Sequence, residues 1–480
     1  MFTKLTEQVE KLALRTDPGL AIKLLGKVPE SVLLQIQRSR FRHTVRAASH
    51  APFYAEQFAR RKIDIDKVRV PSDLAGFFTT GADLQYHGPE MFMIGRPDTA
   101  FETTGTTSAE PKRVYFSNRE LNEMGRASAI GLYQLGLRRE DVVLSAFDVS
   151  FWVSPAVVRT AFQYLGCFHT EAGKIPPSEF YERAKNYEPT VIFGEPSWMV
   201  RLSEIAASRG TWKVKFLFAG GENINESTRA EVEKIWNAPL YLNYGQTESF
   251  GAIGVECREK NGYHRNDLNF LFEIANADAF GTGELVYTTL TREVMPLIRY
   301  RSTDVTRMIE FPCKCGLFAK RIAKIEGRCD EMIVCGMGNI SPWVFAEILR
   351  DVPLATDEWQ VRVFHENKND IVELHVEAEQ ADEAPVRTAM ERAISSNLHL
   401  RFPDMARNLE MGLYELRLVL VDRGTLRRSR KLRRLVYSPE PPTTDSNDNR
   451  TLKILPSSLG REIIGILSRL CLRCISSRLF

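Results

Sequence analysis

The stretch TVIFGEPSWMVRLSEIAASRGTWKVKFLFAGGENINESTRAEVEKIWNAPLYLNY, Thr190–Tyr244, alternates three short apolar runs with two longer segments of mixed character. The runs TVIFGE, VKFLFAGG and PLYLNY are nearly continuous apolar blocks, as expected of strands covered on both faces. PSWMVRLSEIAASRG and NESTRAEVEKIW place their apolar residues at helical spacing. Strand, helix, strand, helix, strand predicts an α/β fold built on a parallel sheet with helices on both sides. DVVLSAF and the helical SPAVVRTAFQYLGC extend the series upstream, behind a helix from Asn118 to about Leu137. Ligands in such sheets collect at the carboxyl ends of the strands.

Two of those ends are polar. FLFAGGEN closes on Gly220, Gly221 and Glu222, where glycines let a flat ring lie against the backbone. LYLNYGQTES closes on Tyr244, Gly245, Gln246, Thr247 and Glu248, an aromatic face, a hydroxyl and a carboxylate on one turn. Either alone is also what an ordinary strand-to-helix turn contains. Ahead of both, Ala100–Ser117 reads AFETTGTTSAEPKRVYFS. Thr103, Thr104, Gly105, Thr106, Thr107 and Ser108 run into Pro111-Lys112 and an alternating strand, RVYFS. Backbone amides at a glycine turn, hydroxyl donors and one lysine make a cradle for phosphate oxygens. The GxxxxGK[ST] spacing of a Walker loop is missing. A polar surface turn is the competing account of this loop alone; three such features in this order favour a nucleotide.

Bulk properties narrow the class. The 480 residues accommodate one large and one small domain, and 44% hydrophobic with 26% charged residues is ordinary for a globular enzyme. A net charge of +3 gives no ground for a nucleic-acid partner. Eight cysteines over this length do not form a disulfide framework, no signal peptide is read, and no run reaches membrane-span length, so a reducing cytoplasm is expected. The N-terminal MFTKLTEQVEKLALRT and LLQIQRSRFRHTVRAASHAPFY read as amphipathic helices, and Thr80 or its neighbour caps another.

Downstream of Gly281 the sequence changes to GTGELVYTTL and MPLIRYRSTDVTRM. Asp304, following Arg299 and Arg301, has the chemistry to accept both hydroxyls of a ribose; a surface salt bridge is the alternative. WQVRVF, IVELHVEA and YELRLVLV read as strands, with a helix near Ala384 to Leu400, predicting a separate small α+β domain. Its last strand leads into DRGTLRRSRKLRRLVYS, where Lys431 is the single lysine.

These residues resemble the adenylate-forming superfamily of acyl-CoA synthetases, firefly-luciferase-like enzymes and peptide-synthetase adenylation domains. The likeness is closest to the phenylacetate-CoA ligase-like branch. TTGTTSAEPK, AGGEN, NYGQTE, GELVYTTL, PLIRYRSTD, IEGRCDEMIVCGMGNISP and GTLRRSRK carry the resemblance, and HAPFYAEQF and CKCG favour the branch; it covers about residues 35–437. It implies a large N-terminal adenylate-forming domain, residues 1–329, with mixed and parallel sheets, and a small mobile C-terminal α+β domain, residues 330–438. It also implies two steps. A carboxylate attacks the α-phosphate of ATP to give an acyl-adenylate and pyrophosphate, and a thiol then displaces AMP. On this likeness the loop from Thr103 to Lys112, with Thr104, Gly105, Thr106 and Thr107, holds phosphates. Glu248 binds Mg2+; Gly220, Gly221, Glu222, Tyr244 and Gly245 frame the adenine; Thr247 touches phosphate. Asp304 takes the ribose with Arg328 beside it, Lys431 bridges the substrate carboxylate and the α-phosphate, and Asp330 is the hinge. The acceptor is CoA or a carrier-protein phosphopantetheine, and a degenerate nucleotide-binding scaffold is the non-enzymatic alternative. The acid pocket lies between Phe151-Trp152 and Ala219–Glu222 with Phe250 nearby, implying a small apolar or aromatic carboxylic acid. Three positions depart from the pattern: Ser108, Thr303 and Arg430 stand where relatives have glycine.

Cys257, His264, Cys313 and Cys315 form a set suited to a tetrahedral zinc site, or are three reduced cysteines and an ordinary surface histidine. Residues 439–480 read as a proline-rich linker and a basic tail, with Arg450, Lys453, Arg461, Arg469, Arg473 and Arg478 against Glu462. A basic amphipathic helix there makes peripheral membrane contact one of the expectations, beside packing on the body.

Overall fold

The computed structural model describes residues 17–103, 111–222, 224, 226–329, 332–352, 355–378, 383–422, 425–426, 434–438 and 451–454. The chain divides into two compact units, Met1–Met332 and Ile333–Phe480.

In the first unit a nine-stranded sheet runs in the order Phe168–Glu171, Val142–Ser145, Val191–Gly194, Phe216–Gly220, Leu240–Gln246, Gly251–Val255, Tyr263–Arg265, Arg321–Ile322, Met308–Ile309. The first five are mutually parallel and the rest antiparallel. The parallel half is the part read from its apolar runs. Phe216–Gly220 is buried at every position, which only a strand covered on both faces can be. Phe168–Glu171 and the helix Pro177–Ala184 were not foreseen; FHTE has no apolar run and lies at the sheet edge. A second, antiparallel sheet comprises Phe270–Ala275, Gly283–Thr289, Tyr300–Thr306 and Gly327–Arg328. The hairpin Thr99–Glu102 with Arg113–Phe116 stands apart. Local signals place the helices as expected: Thr80 and Asp83 form a capping box at Gly81–His87, and Ser117 and Glu120 form one at Asn118–Gln134.

The second unit holds a five-stranded sheet in the order Leu435–Tyr437, Ala355–Glu366, Asn369–Ala378, Tyr414–Val421, Thr451–Ile454. Val386, Met390, Ile394 and Leu398 recur every fourth residue on the helix Ala384–Arg401 and pack against alternate strand residues such as Val361, Leu374 and Leu418. One boundary needs correction. The tail was expected to begin at 439, yet Thr451–Ile454 pairs antiparallel with Tyr414–Val421 and buries Ile454 in the core. Four residues behind a proline-rich stretch are too few to register as a strand until a sheet edge receives them. Asp330, Lys431 and residues 455–480, which include most of the basic tail, lie outside the described residues. Among the described residues no helix is long and apolar enough to cross a membrane.

Candidate active site

The carboxyl ends of Phe216–Gly220 and Leu240–Gln246 are adjacent, because those strands pair in parallel register with Gly220 opposite Asn243. At Gly245 a Cβ would come within 2.2 Å of the Gly251 carbonyl, so that position requires glycine, and at Gly220 it would come within 1.9 Å of the Asn243 side-chain oxygen and displace that side chain. Asn243 Oδ1 is buried without a hydrogen-bond partner, an acceptor held open beside Gly220.

Asp304, in the strand Tyr300–Thr306, is drawn against this end of the sheet. It accepts the Tyr244 hydroxyl at 2.5 Å, Gln246 Nε2 at 2.7 Å and Arg328 at 3.0 Å. Gln246 also donates to the Ser302 carbonyl and accepts from the Tyr287 hydroxyl at 3.2 Å. Burial, then the neighbouring carboxylate, hold the Tyr244 phenol well above its ordinary range, so it stays a donor. Arg299 and Arg301 are engaged elsewhere, with Glu273 and Glu284, which removes them as salt-bridge partners of Asp304. Thr303 stands where glycine was expected and adopts φ +66°, costly for a β-branched residue, and its hydroxyl contacts Arg328.

Glu248 is 5% exposed. Its Oε1 accepts Lys112 Nζ at 2.5 Å and the Tyr300 hydroxyl at 2.9 Å. Burial raises its affinity for a proton, but Lys112 outweighs that and holds the carboxyl below its ordinary range. Lys112 and Thr103 close the neck of the hydroxyl-rich loop: Thr103 N–H donates to the Lys112 carbonyl at 2.9 Å, and Lys112 N–H to Thr103 Oγ1 at 3.2 Å. Thr104, Gly105, Thr106 and Thr107 lie outside the described residues, as do Asp330 and Lys431. Thr247 is half-buried between Gln246 and Glu248 and accepts the Phe250 N–H through its carbonyl.

Glu222 is half-buried and accepts the Ser197 N–H at 2.9 Å. Burial first, and the nearby Glu195 second, push its carboxyl up to about 8, while Lys174 pairs with Glu195. Glu195 and Lys174 carry no motif signal and were missed. So was Arg292, whose guanidinium lies 3.9 Å over the Phe116 ring and 5.0 Å from Phe250, with no hydrogen-bond partner for its three nitrogens. Burial brings it down to about 10, against the pull of Glu120 at 3.8 Å. Phe250, expected near the acid pocket, is 1% exposed and stacked on Phe116 at 3.6 Å, whereas Phe151 is exposed. Cys257, His264, Cys313 and Cys315 converge at a separate place, with all four ligand atoms within 4.8 Å of one another.

The family model described as "AMP-binding enzyme" matches residues 100–268, which contain the loop, both strand ends and Glu248. The phenylacetate-coenzyme A ligase of Pseudomonas putida is 25% identical over 361 residues, spanning 72% of this chain and 82% of that protein. The enzyme of the same name from Thermus thermophilus is 26% identical over 375 residues, spanning 74% and 84%. Among solved structures, 2-hydroxyisobutyryl-CoA ligase in complex with 2-HIB-AMP and CoA shares the fold, with a TM-score of 0.74, 20% identity and coverage of 86% of this chain and 91% of that one. The chain thus carries an AMP-binding enzyme region over residues 100–268 and is similar to phenylacetate-coenzyme A ligases over 72–74% of its length.

Proposed function

We propose that this protein is an AMP-forming acid–thiol ligase that activates a small carboxylic acid with ATP and transfers the acyl group to CoA. The observation that carries this reading is the convergence of Asp304, Tyr244, Gln246 and Arg328 beside an open Asn243 acceptor, with Glu248 and Lys112 across the same turn. In this reading the adenine amino group donates to Asn243 Oδ1 and its ring lies over Gly220 and Gly221, with Tyr244 and Gly245 on the other side. The ribose hydroxyls take over the acceptor oxygens of Asp304, and Arg328 holds that carboxylate in place. Thr103 to Lys112 and Thr247 donate to the phosphates.

Glu248 is the magnesium ligand of this reading. A buried carboxylate facing phosphate oxygens is a hard donor set of the kind that cation takes. The bound cation would neutralise charge on the departing pyrophosphate. The acid carboxylate then attacks the α-phosphorus, the bond to pyrophosphate breaks, and Lys431 bridges the two anions. In the second step the CoA thiolate attacks the acyl carbonyl and AMP leaves. Rotation at Asp330 between the steps belongs to the same proposal. For the acid we propose an apolar or aromatic carboxylate, on the aromatic pair Phe151-Trp152 at the start of the helix Val153–Leu165. Zinc has no part in either step.

Acid-dependent exchange of labelled pyrophosphate into ATP, run across a diverse acid library with CoA and a carrier protein offered side by side, tests the reading. One or more acids giving exchange, and a CoA thioester on adding CoA, is the expected outcome. Acylation of the carrier alone would replace the acceptor. No exchange with any acid would favour a non-catalytic nucleotide-binding protein.

A further inference from the structure

Four side chains with no place in the reaction above meet on the antiparallel margin of the large sheet. Cys257 follows the strand Gly251–Val255, His264 lies within Tyr263–Arg265, and Cys313 and Cys315 sit in the loop joining Met308–Ile309 to Arg321–Ile322. We infer that Cys257, His264, Cys313 and Cys315 bind one zinc ion as a closed, structural site.

The distances are those of a coordination shell. Zinc bonds of about 2.3 Å to sulfur and about 2.0–2.1 Å to nitrogen put neighbouring ligands of a tetrahedron about 3.5–3.8 Å apart. Cys257 Sγ lies 3.6 Å from Cys313 Sγ, and Cys315 Sγ lies 3.3 Å from His264 Nε2. A disulfide accounts for none of this: sulfurs 3.6 Å apart are far beyond a bond of about 2.05 Å, and a disulfide recruits neither histidine nor a third cysteine.

The surroundings orient the donors. His264 Nδ1 lies 2.6 Å from the Ala319 carbonyl, so it carries the proton and leaves the Nε2 lone pair turned toward Cys315. The Leu317 N–H donates to Cys315 Sγ at 3.4 Å, and the Gly316 N–H donates to the Cys313 carbonyl. Gly316, at φ +82°, makes the tight turn that folds the two sulfurs of Cys313-Lys314-Cys315 to one side. A single residue between two ligands would otherwise strain their binding to one ion, and this turn relieves that. Three thiolates and an imidazole around zinc leave a net negative charge. Arg321 is 2% exposed, its Nε has no hydrogen-bond partner, and its guanidinium lies near enough to act on the Cys313 sulfur. Three sulfurs and one imidazole nitrogen select zinc over the hard divalent cations, and four protein ligands leave no position open for catalysis.

The site also has mechanical work. Met308–Ile309, Arg321–Ile322 and Tyr263–Arg265 pair through only two residues at each junction. A metal joining Cys257, His264 and the loop between Met308–Ile309 and Arg321–Ile322 fixes what so few ladder bonds hold weakly. Gly251–Val255, just before Cys257, pairs with the strand carrying Tyr244 and Gln246, so the site braces the far side of the nucleotide strands.

Metal analysis of the full chain, purified without chelator or added metal, tests this directly and needs no substrate. One equivalent of zinc is expected. Replacement by Co2+ should give the thiolate-to-metal charge-transfer absorption of a tetrahedral sulfur site, and Cys313→Ser should lose that absorption with a lower Tm. Absence of stoichiometric zinc, a different metal in its place, a Cys257–Cys313 disulfide in the native protein, or full metal retention in both Cys313→Ser and Cys257→Ser would overturn the assignment. Should Cys313→Ser fail to fold, metal content and the Co2+ spectrum of the unmutated chain decide it. Either result stands whatever acid the enzyme uses.

Discussion

Glu248→Gln separates the chemistry of the site from its packing. The carboxylate is buried, 2.5 Å from Lys112 and 2.9 Å from the Tyr300 hydroxyl. At an effective dielectric constant of about 20 the bare attraction at that separation is ~7 kcal/mol, most of it offset by desolvation of the two charges. Glutamine keeps the shape and an acceptor for Tyr300, and Lys112, whose side chain is 18% exposed, has a route to water. The net loss of a charge-assisted hydrogen bond is then about 2 kcal/mol, a Tm decrease of a few degrees. Catalysis should suffer far more. With Glu248 as the proposed magnesium ligand, loss of its charge would remove stabilisation from the departing pyrophosphate, and loss of one such electrostatic element costs about 10²–10³-fold in rate. Pyrophosphate exchange with an acid accepted by the unmutated enzyme, measured against magnesium concentration with a parallel thermal melt, reads both quantities. Near-normal exchange with unchanged magnesium dependence would remove Glu248 from the metal site. A collapse of Tm matching the loss of exchange would make it a structural residue.

Three further outcomes follow from the same geometry. Because Lys112 occupies the carboxylate a divalent cation would use, Lys112→Met should raise Mn2+ affinity without nucleotide about tenfold, equivalent to ~1.4 kcal/mol, while lowering exchange; electron paramagnetic resonance titration checks it, and unchanged affinity refutes the competition. Glu222 titrates at about 8 in the folded chain against about 4.5 unfolded, so the native state holds a proton the unfolded chain has lost, and stability falls as pH rises through that window. Glu222→Gln should flatten the decline of Tm between those limits; an unchanged slope refutes it. Thr303→Gly should relieve the strain at φ +66°, raising stability by about 1 kcal/mol in denaturant titration, but raise the KM for ATP by removing one of the contacts that orient Arg328 beside Asp304; a stability loss would show that Thr303 is not strained.

The parts of the fold legible in the sequence are those with local causes. Continuous apolar runs forced the parallel strands into the interior, and capping residues at Thr80 and Ser117 fixed helix starts. The antiparallel margin was less legible, since Met308–Ile309 and Arg321–Ile322 are two-residue strands defined by pairing with neighbours distant in sequence. The site divides the same way. Asp304, Glu248, Tyr244 and Lys112 belong to recognisable runs. Gln246 lies in the same polar run as Tyr244 and Glu248, but its ties to Asp304, Ser302 and Tyr287 cross 41–58 residues of chain, and no local pattern records those partners. Arg292 reads as an ordinary surface arginine, and only packing shows it buried against Phe116. The open acceptor of Asn243 comes from its parallel pairing opposite Gly220, a contact between strands that no periodicity records.

In the proposed reaction the acid carboxylate becomes joined to the α-phosphorus of ATP before the thiol acts. An acid positive in the exchange assay, labelled with 18O in both carboxylate oxygens, should be incubated with enzyme, ATP, Mg2+ and CoA, and the products resolved by mass spectrometry. One 18O in AMP for each CoA thioester formed, with unlabelled pyrophosphate, is the expected result. Label in orthophosphate accompanied by ADP, or thioester formation with unlabelled AMP, would contradict it.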